Sequence, residues 1–217
     1  MAVLTDLIMM QELALFPLKL VAFPEEDLHL HIFEPRYKQL INDCLEKGQT
    51  FGISTYLDKL MPLGTEMRLV EVSKKYEDGR MDIKSKGLKT FKILDFYNPM
   101  QGKLYAGGKV EFMALDNRAS KEKKVAFSKN LEILFELMEQ PMKPEELNGL
   151  NSFTFAHKIG LKPVEEYTLL TIAKEEDRLD FLLEHFQKII PLLKEIASSK
   201  HKIKMNGHFK YLDPLNF

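Results

Sequence analysis

The sequence predicts an α+β protein, with a small closed or nearly closed β-barrel holding one inserted helix, followed by an α-helical bundle. Two changes of period carry this reading. Through about residue 115 the chain runs in short apolar or alternating segments cut by turn signals, the period of strands; from Ser120 the apolar spacing becomes helical. A third observation is the scarcity of helix among the strands. Five or more strands with a single helix between them are best satisfied by closure, which also removes exposed edges.

LALFPL (13–18) and DLHLHIF (27–33) read as strands, the second alternating Leu28, Leu30 and Ile32 against His29, His31 and Phe33. The one early helix is expected from Pro35 to about Glu46. Proline suits a first helical position because its missing N–H would be unpaired there anyway. Tyr37, Leu40, Ile41 and Cys44 recur at helical spacing, and Gly48 supplies the stop. TFGISTYL, EMRLVEVSKKY, RMDIKSKG, KTFKILDFY and KLYAGGKVEFM continue the strands. The second and third of these meet at EDGR (77–80), an Asp-Gly hairpin turn. In the second half Phe127, Leu131, Leu134, Phe135 and Met138 form one helical stripe, ended by Pro141 and Pro144. A second helix is expected from Glu145 to His157, closing at Gly160, and a short third from Pro163 through Leu169 and Ala173. The fourth places Leu179, Leu182, Leu183, Phe186, Ile189 and Leu193 inward, with Pro191 expected to kink or break it. The domains are therefore a barrel over 1–115, a helical domain over 120–206 and a C-terminal tail over 207–217, with ALDNRASK as the polar connection.

Composition is that of an ordinary globular protein: 217 residues, 45% apolar, 29% charged, net charge −1. Each half is close to neutral. This balance argues against nucleic acid, whose binders carry a basic stripe, and against an anionic membrane surface. No run approaches the length that crosses a bilayer, and the opening MAVLTDLIMMQELALFPL lacks the basic start and small-residue cleavage site of a secretory signal. The single cysteine, Cys44, excludes an intrachain disulfide framework and reads as a small buried hydrophobe. A cytoplasmic location follows.

The chemistry-bearing residues give no catalytic motif. His29 and His31, two apart on a strand, share a face, with Glu34 nearby, but no third or fourth ligand is in view. GKLYAGGKV lacks the spacing and the helix of a phosphate loop, so Gly107 and Gly108 read as a bulge or tight turn. There is no Gly-x-Ser-x-Gly elbow, and Ser85 and Lys86 point to opposite faces of one strand. The lysines at 121, 123 and 124 and the SSKHKIK tract read as solvated helix faces. In HIFEPRYKQL, Glu34 and Arg36 are placed for a charge-assisted bond across the strand–helix junction. No catalytic, cofactor or metal residue is assigned.

LALFPLKLVAFPEEDLHLHIFEPRYKQLINDCL, then FGIS, GTEMRLVEV and DGRMDIKSKGLKTFKIL, resembles the N-terminal substrate-binding domain of Lon proteases over about residues 12–113. Residues 15–18, 23–24 and 30–37 carry the family's Leu-Phe-Pro-Leu, Phe-Pro and Leu-His-Ile-Phe-Glu-Pro-Arg-Tyr segments. Gly64 and Thr65 match its Gly-Thr strand start, Asp78 to Ile83 its hairpin, and residues 86–94 the segment that follows. His29 departs from the proline usual there, which speaks against a family-wide metal pair. The resemblance implies a PUA-like pseudobarrel followed by a helical bundle. It also implies a stand-alone, non-enzymatic module that captures polypeptides or partner proteins, with no ATPase or protease domain following. An adaptor for proteolysis or protein quality control is the expected role. The candidate contacts are Leu60, Met61, Tyr97 and Met100, large apolar or aromatic residues expected in loops, where burial needs another reason. An RNA-associated PUA-like protein is the alternative, resting on fold analogy alone.

Overall fold

The computed structural model describes residues 10–208, apart from residues 144 and 146–148, and side chains as far as residue 200. The tail expected from residue 207 lies, beyond residue 208, outside these. The described chain forms six strands, β1 (Met10–Leu18), β2 (Asp27–Ile32), β3 (Phe51–Tyr56), β4 (Leu60–Lys75), β5 (Met81–Tyr97) and β6 (Ala106–Phe112). Four α-helices accompany them: α1 (Pro35–Lys47), α2 (Lys121–Leu137), α3 (Pro163–Thr171) and α4 (Glu175–His208).

The strands lie in the order β2-β5-β4-β3-β1-β6, and β6 pairs back onto β5. That last pairing closes five strands into a barrel and leaves β2 outside the ring. All neighbours are antiparallel except β1 and β3, which run parallel from Leu15 opposite Gly52 to Leu18 opposite Thr55. Closure depends on β5. The two segments expected on either side of Gly87 are one continuous strand, whose first part holds β2 (Met81 to Lys86) and whose second part holds β6 (Phe91 to Tyr97). Gly87 stands between them because the Phe23 main chain crosses there; a Cβ at this position would lie 2.1 Å from the Phe23 carbonyl oxygen. The Gly107–Gly108 pair also sits in regular strand, not in a turn. A Cβ on Gly108 would meet the Asp95 carbonyl at 2.4 Å, and the irregularity expected there falls on β5, between Ile93 and Asp95.

Helix α1 follows the sequence closely. Pro35 occupies its first turn and Gly48, at φ 63°, ends it with its N–H donating to the Cys44 carbonyl. The Glu34 carboxylate accepts from Arg36 (Nε at 3.0 Å, Nη2 at 2.7 Å) and makes no capping bond to the helix. Tyr37, Leu40, Ile41 and Cys44 are buried with Phe16, Phe51, Ile53, Met67 and Ile83, and the Tyr37 ring stacks on Phe16 at 3.7 Å. Burial pushes the Cys44 thiol up to about 11, away from the reactive thiolate.

The described chain divides into two compact units, changing first after Asp116, within the polar connection, and returning to the barrel over Phe153–Ala173. Among the described residues, those up to Asp116 pack with Phe153–Ala173, while Asn117–Ser152 packs with the chain from Lys174 to His208. The helix expected from Glu145 to His157 does not form among the described residues of that stretch, where turns and one short 3-10 turn (Ala156–Lys158) replace it. In the first unit the returning segment makes several long-range contacts with the barrel. Phe153 stacks on Phe23 at 5.1 Å, Tyr167 accepts the Leu63 N–H at 2.9 Å, and His157 bridges Glu26 (3.1 Å) and Glu166 (2.8 Å). The second unit pairs α2 with α4, burying Phe127, Leu131, Leu134 and Phe135 with Leu179, Leu182, Phe186 and Ile190. Helix α4 runs unbroken through Pro191. Leu183, Ile189 and Leu193 are only half-buried, and Ile190 takes the fully inward place. No helix among the described residues is long and apolar enough to cross a membrane.

Candidate functional site

The four expected contact residues are placed by two connections of the barrel unit. The turn after β3 is tighter than the sequence implies, with the Leu57 N–H donating to the Lys59 carbonyl, so Leu60 and Met61 open β4 instead of lying in a loop. Leu60 stands across from Tyr56, which is exposed. Tyr97 ends β5 opposite Gly107. Since β4 begins and β5 ends in the same direction, Tyr56, Leu60, Met61 and Tyr97 lie toward one end of the barrel, as do the exposed Leu94 and Phe96. Of the four, only Met100 is in a loop. Its side chain folds over Gly107, where a Cβ would come within 2.8 Å of the methionine sulfur. All four are half-buried, so each has packing on one side and solvent on the other.

Met100 also lines a cleft of about 410 Å³, with Gln11, Glu12, Leu13 and Ala14 of β1 and the Lys47–Thr50 turn. Lys103 and Tyr105 complete it, and nothing in the sequence pattern singled them out. They are joined through Asp43 of α1, whose Oδ2 accepts from Lys103 Nζ at 2.5 Å and from the Tyr105 hydroxyl at 2.6 Å. The pairing spans about sixty positions of chain, so no local spacing could have announced it. The Lys103 bond, then the Tyr105 bond, hold the Asp43 carboxyl below its usual range. Burial and the Asp43 hydrogen bond push the Tyr105 phenol up to about 12. The phenol is thereby kept protonated, the wrong direction for a nucleophile or base near neutrality. The cluster ties α1 to the loop before β6.

The two strand histidines do share a face, the outer one. His31 Nδ1 lies 2.6 Å from Asp82 Oδ1, and Asp82 also accepts from the Tyr76 hydroxyl at 2.8 Å. No group of three or more His, Cys, Asp or Glu side chains among the described residues is arranged to hold a metal ion. The barrel unit presents half-exposed apolar side chains toward one end, and Met100 links them to the cleft that Lys103 and Tyr105 complete.

A six-stranded sheet closed in this order, followed by long helices, defines a Lon N-terminal type of domain. The model of the ATP-dependent protease La (LON) substrate-binding domain matches residues 12–188, and the chain belongs to that family. The Lon N-terminal domain protein from Xanthomonas campestris shares the fold with TM-score 0.63 and 23% identity, over 80% of this chain and 98% of that one. The N-terminal domain of the Mycobacterium avium complex Lon protease gives TM-score 0.66 and 14% identity, over 82% and 99%. No match was found among curated proteins.

Proposed function

We propose that this chain is a binding module for polypeptides or partner proteins that does no chemistry on them, acting in the cytoplasm as an adaptor in proteolysis or protein quality control. The observation that carries the reading is the family match across residues 12–188, which covers the barrel and both segments packed against it or following it. The half-exposed apolar group of Leu60, Met61, Tyr97 and Met100 supports it as the contact surface, because apolar side chains held at a rigid surface with polar neighbours mark interaction sites. Methionines at two of the four positions suit clients of varied shape.

The test is binding of reduced, carboxymethylated α-lactalbumin, an unfolded polypeptide, to the full chain, read by fluorescence anisotropy. Binding is expected, with the folded form of the same protein failing to compete. Replacing both Leu60 and Met61 by alanine should weaken it by about tenfold if they are contact anchors. Absence of binding to unfolded protein, together with retention of RNA from a mixed extract, would overturn the reading in favour of the RNA-associated one.

A further inference from the structure

Among the described residues, strand β2 is the one strand outside the closed ring, and it pairs with β5 alone. No described strand pairs with its other edge, and the chain itself shows which main-chain groups face outward. Ser73 Oγ of β4 donates to the Asp82 carbonyl, so the main-chain groups of Asp82 turn toward β4 and away from β2. Its cross-strand partner His31 therefore points its own N–H and C=O to the open edge, and His29, two residues earlier, does the same. The Leu28 carbonyl agrees, since it accepts from Ser85 Oγ on the β5 side. Both histidines are exposed.

Open edges are ordinarily guarded by proline, by lysine or by a covering element. β2 reads DLHLHI and has neither residue. Its one carboxylate, Asp27, is turned back to Lys84 (3.1 Å) and Lys86 (3.2 Å) of β5, and His31 is turned back to Asp82. Charge is thus drawn off the edge. On the inner face Leu28 and Leu30 pack against the barrel core but stay only half-buried, so the apolar layer is unfinished along this same edge. At its end stands Phe33, 59% exposed, with His31 at 6.1 Å and Tyr76 edge-on to His31 at 5.7 Å.

We propose that the β2 edge captures an extended polypeptide segment by strand addition, with main-chain bonds to His29 and His31. The inference rests on the polypeptide-binding reading and gives it a second site, distinct from the Leu60–Met61 end. The occupant is set by two features. Paired outward donors and acceptors at a two-residue repeat are matched only by another extended main chain. Completing the layer begun by Leu28 and Leu30 requires apolar side chains at every second position of the added strand. A second copy of β2 fits less well: antiparallel pairing that keeps Leu28 against Leu30 places the two His29 side chains directly opposite each other.

The experiment uses the full chain and a fluorescein-labelled octapeptide of alternating valine and threonine, with unfolded α-lactalbumin as competitor. His29→Pro deletes the outward N–H and leaves the β2–β5 ladder intact, because that N–H is not in it. His29→Ala keeps the N–H and is its control. His29→Pro should weaken peptide binding by about tenfold or more, and His29→Ala by less than about twofold. The peptide N-methylated at every residue should fail to compete against wild type, which keeps the test decisive if His29→Pro does not fold. Unchanged affinity in a folded His29→Pro variant, or full competition by the N-methylated peptide, overturns the edge site and leaves polypeptide binding standing. Failure of the wild type to bind unfolded α-lactalbumin overturns that underlying reading, and this inference with it. A dimer that His29→Pro dissociates and the peptide does not would give the edge to a second copy and overturn the proposal.

Discussion

His157 is a third exposed and lies between two carboxylates, Glu26 at 3.1 Å and Glu166 at 2.8 Å, with the Phe23 ring at 5.1 Å. Burial disfavours its charged form, but the hydrogen bonds and charges of Glu26 and Glu166 outweigh that and raise it to about 9 from an ordinary 6.5. A group raised on folding stabilises the native state in full below its unfolded value and loses that contribution as pH climbs through its folded value. The melting temperature of the wild type should therefore fall between pH 7 and pH 10 by more than that of His157→Gln, with the two differing by a constant amount below pH 6. Parallel curves across the whole range would show that the bridge contributes nothing. Sequence reading passed over His157, because its partners in space come from the distant β1–β2 connection (Phe23 and Glu26) and from α3 (Glu166).

At the scale of elements, α4 begins on a buried charged cluster within the second unit. Arg178 is 1% exposed, and its Nε donates to Ser152 Oγ (2.8 Å) and Glu175 Oε2 (2.9 Å), while Nη2 donates to Asn117 Oδ1 (3.0 Å). Glu175 in turn accepts the Ser152 N–H at 2.8 Å and its hydroxyl at 2.7 Å. One arginine thus fixes the start of α4 to both ends of the chain segment containing α2. Arg178→Met strands a buried carboxylate and should cost about 3–5 kcal/mol in urea unfolding followed by far-ultraviolet circular dichroism. A loss under about 1 kcal/mol would mean that water reaches Glu175. At the same helix start, where negative charge suits the helix dipole, Glu176 receives the Ser120 N–H and Lys123 near the surface, whereas Glu175 is buried at 2% exposure.

Over the whole molecule, chain order and packing part company. The segment Phe153–Ala173, helical in period and late in sequence, belongs with the barrel, where Tyr167 accepts the N–H of Leu63 and stands 8% exposed. A chain ended at residue 116 keeps all six strands but loses that hydroxyl, the Phe153 stack and the His157 bridge. It should melt at a markedly lower temperature than the barrel of the full chain, read by near-ultraviolet dichroism of its tyrosines. A barrel that melts unchanged without residues 153–173 would show that these contacts are incidental to its stability.

Much of the fold was legible because its signals are local. The alternation in DLHLHI, proline at the start and glycine at the end of α1, the Asp-Gly turn and the stripe from Phe127 to Phe135 each act within one or two turns of chain, where sterics and burial period decide the outcome. The pairings that close the barrel and shape its surface are not local. Joining β5 through Gly87 was decided by the passage of the Phe23 main chain, and bringing Asp43 to Lys103 and Tyr105 by the return of the loop before β6. Leaving β2 with an open edge was decided by closure of the ring without it, since backbone hydrogen bonding is assigned by which strands meet, and no residue type encodes that alone.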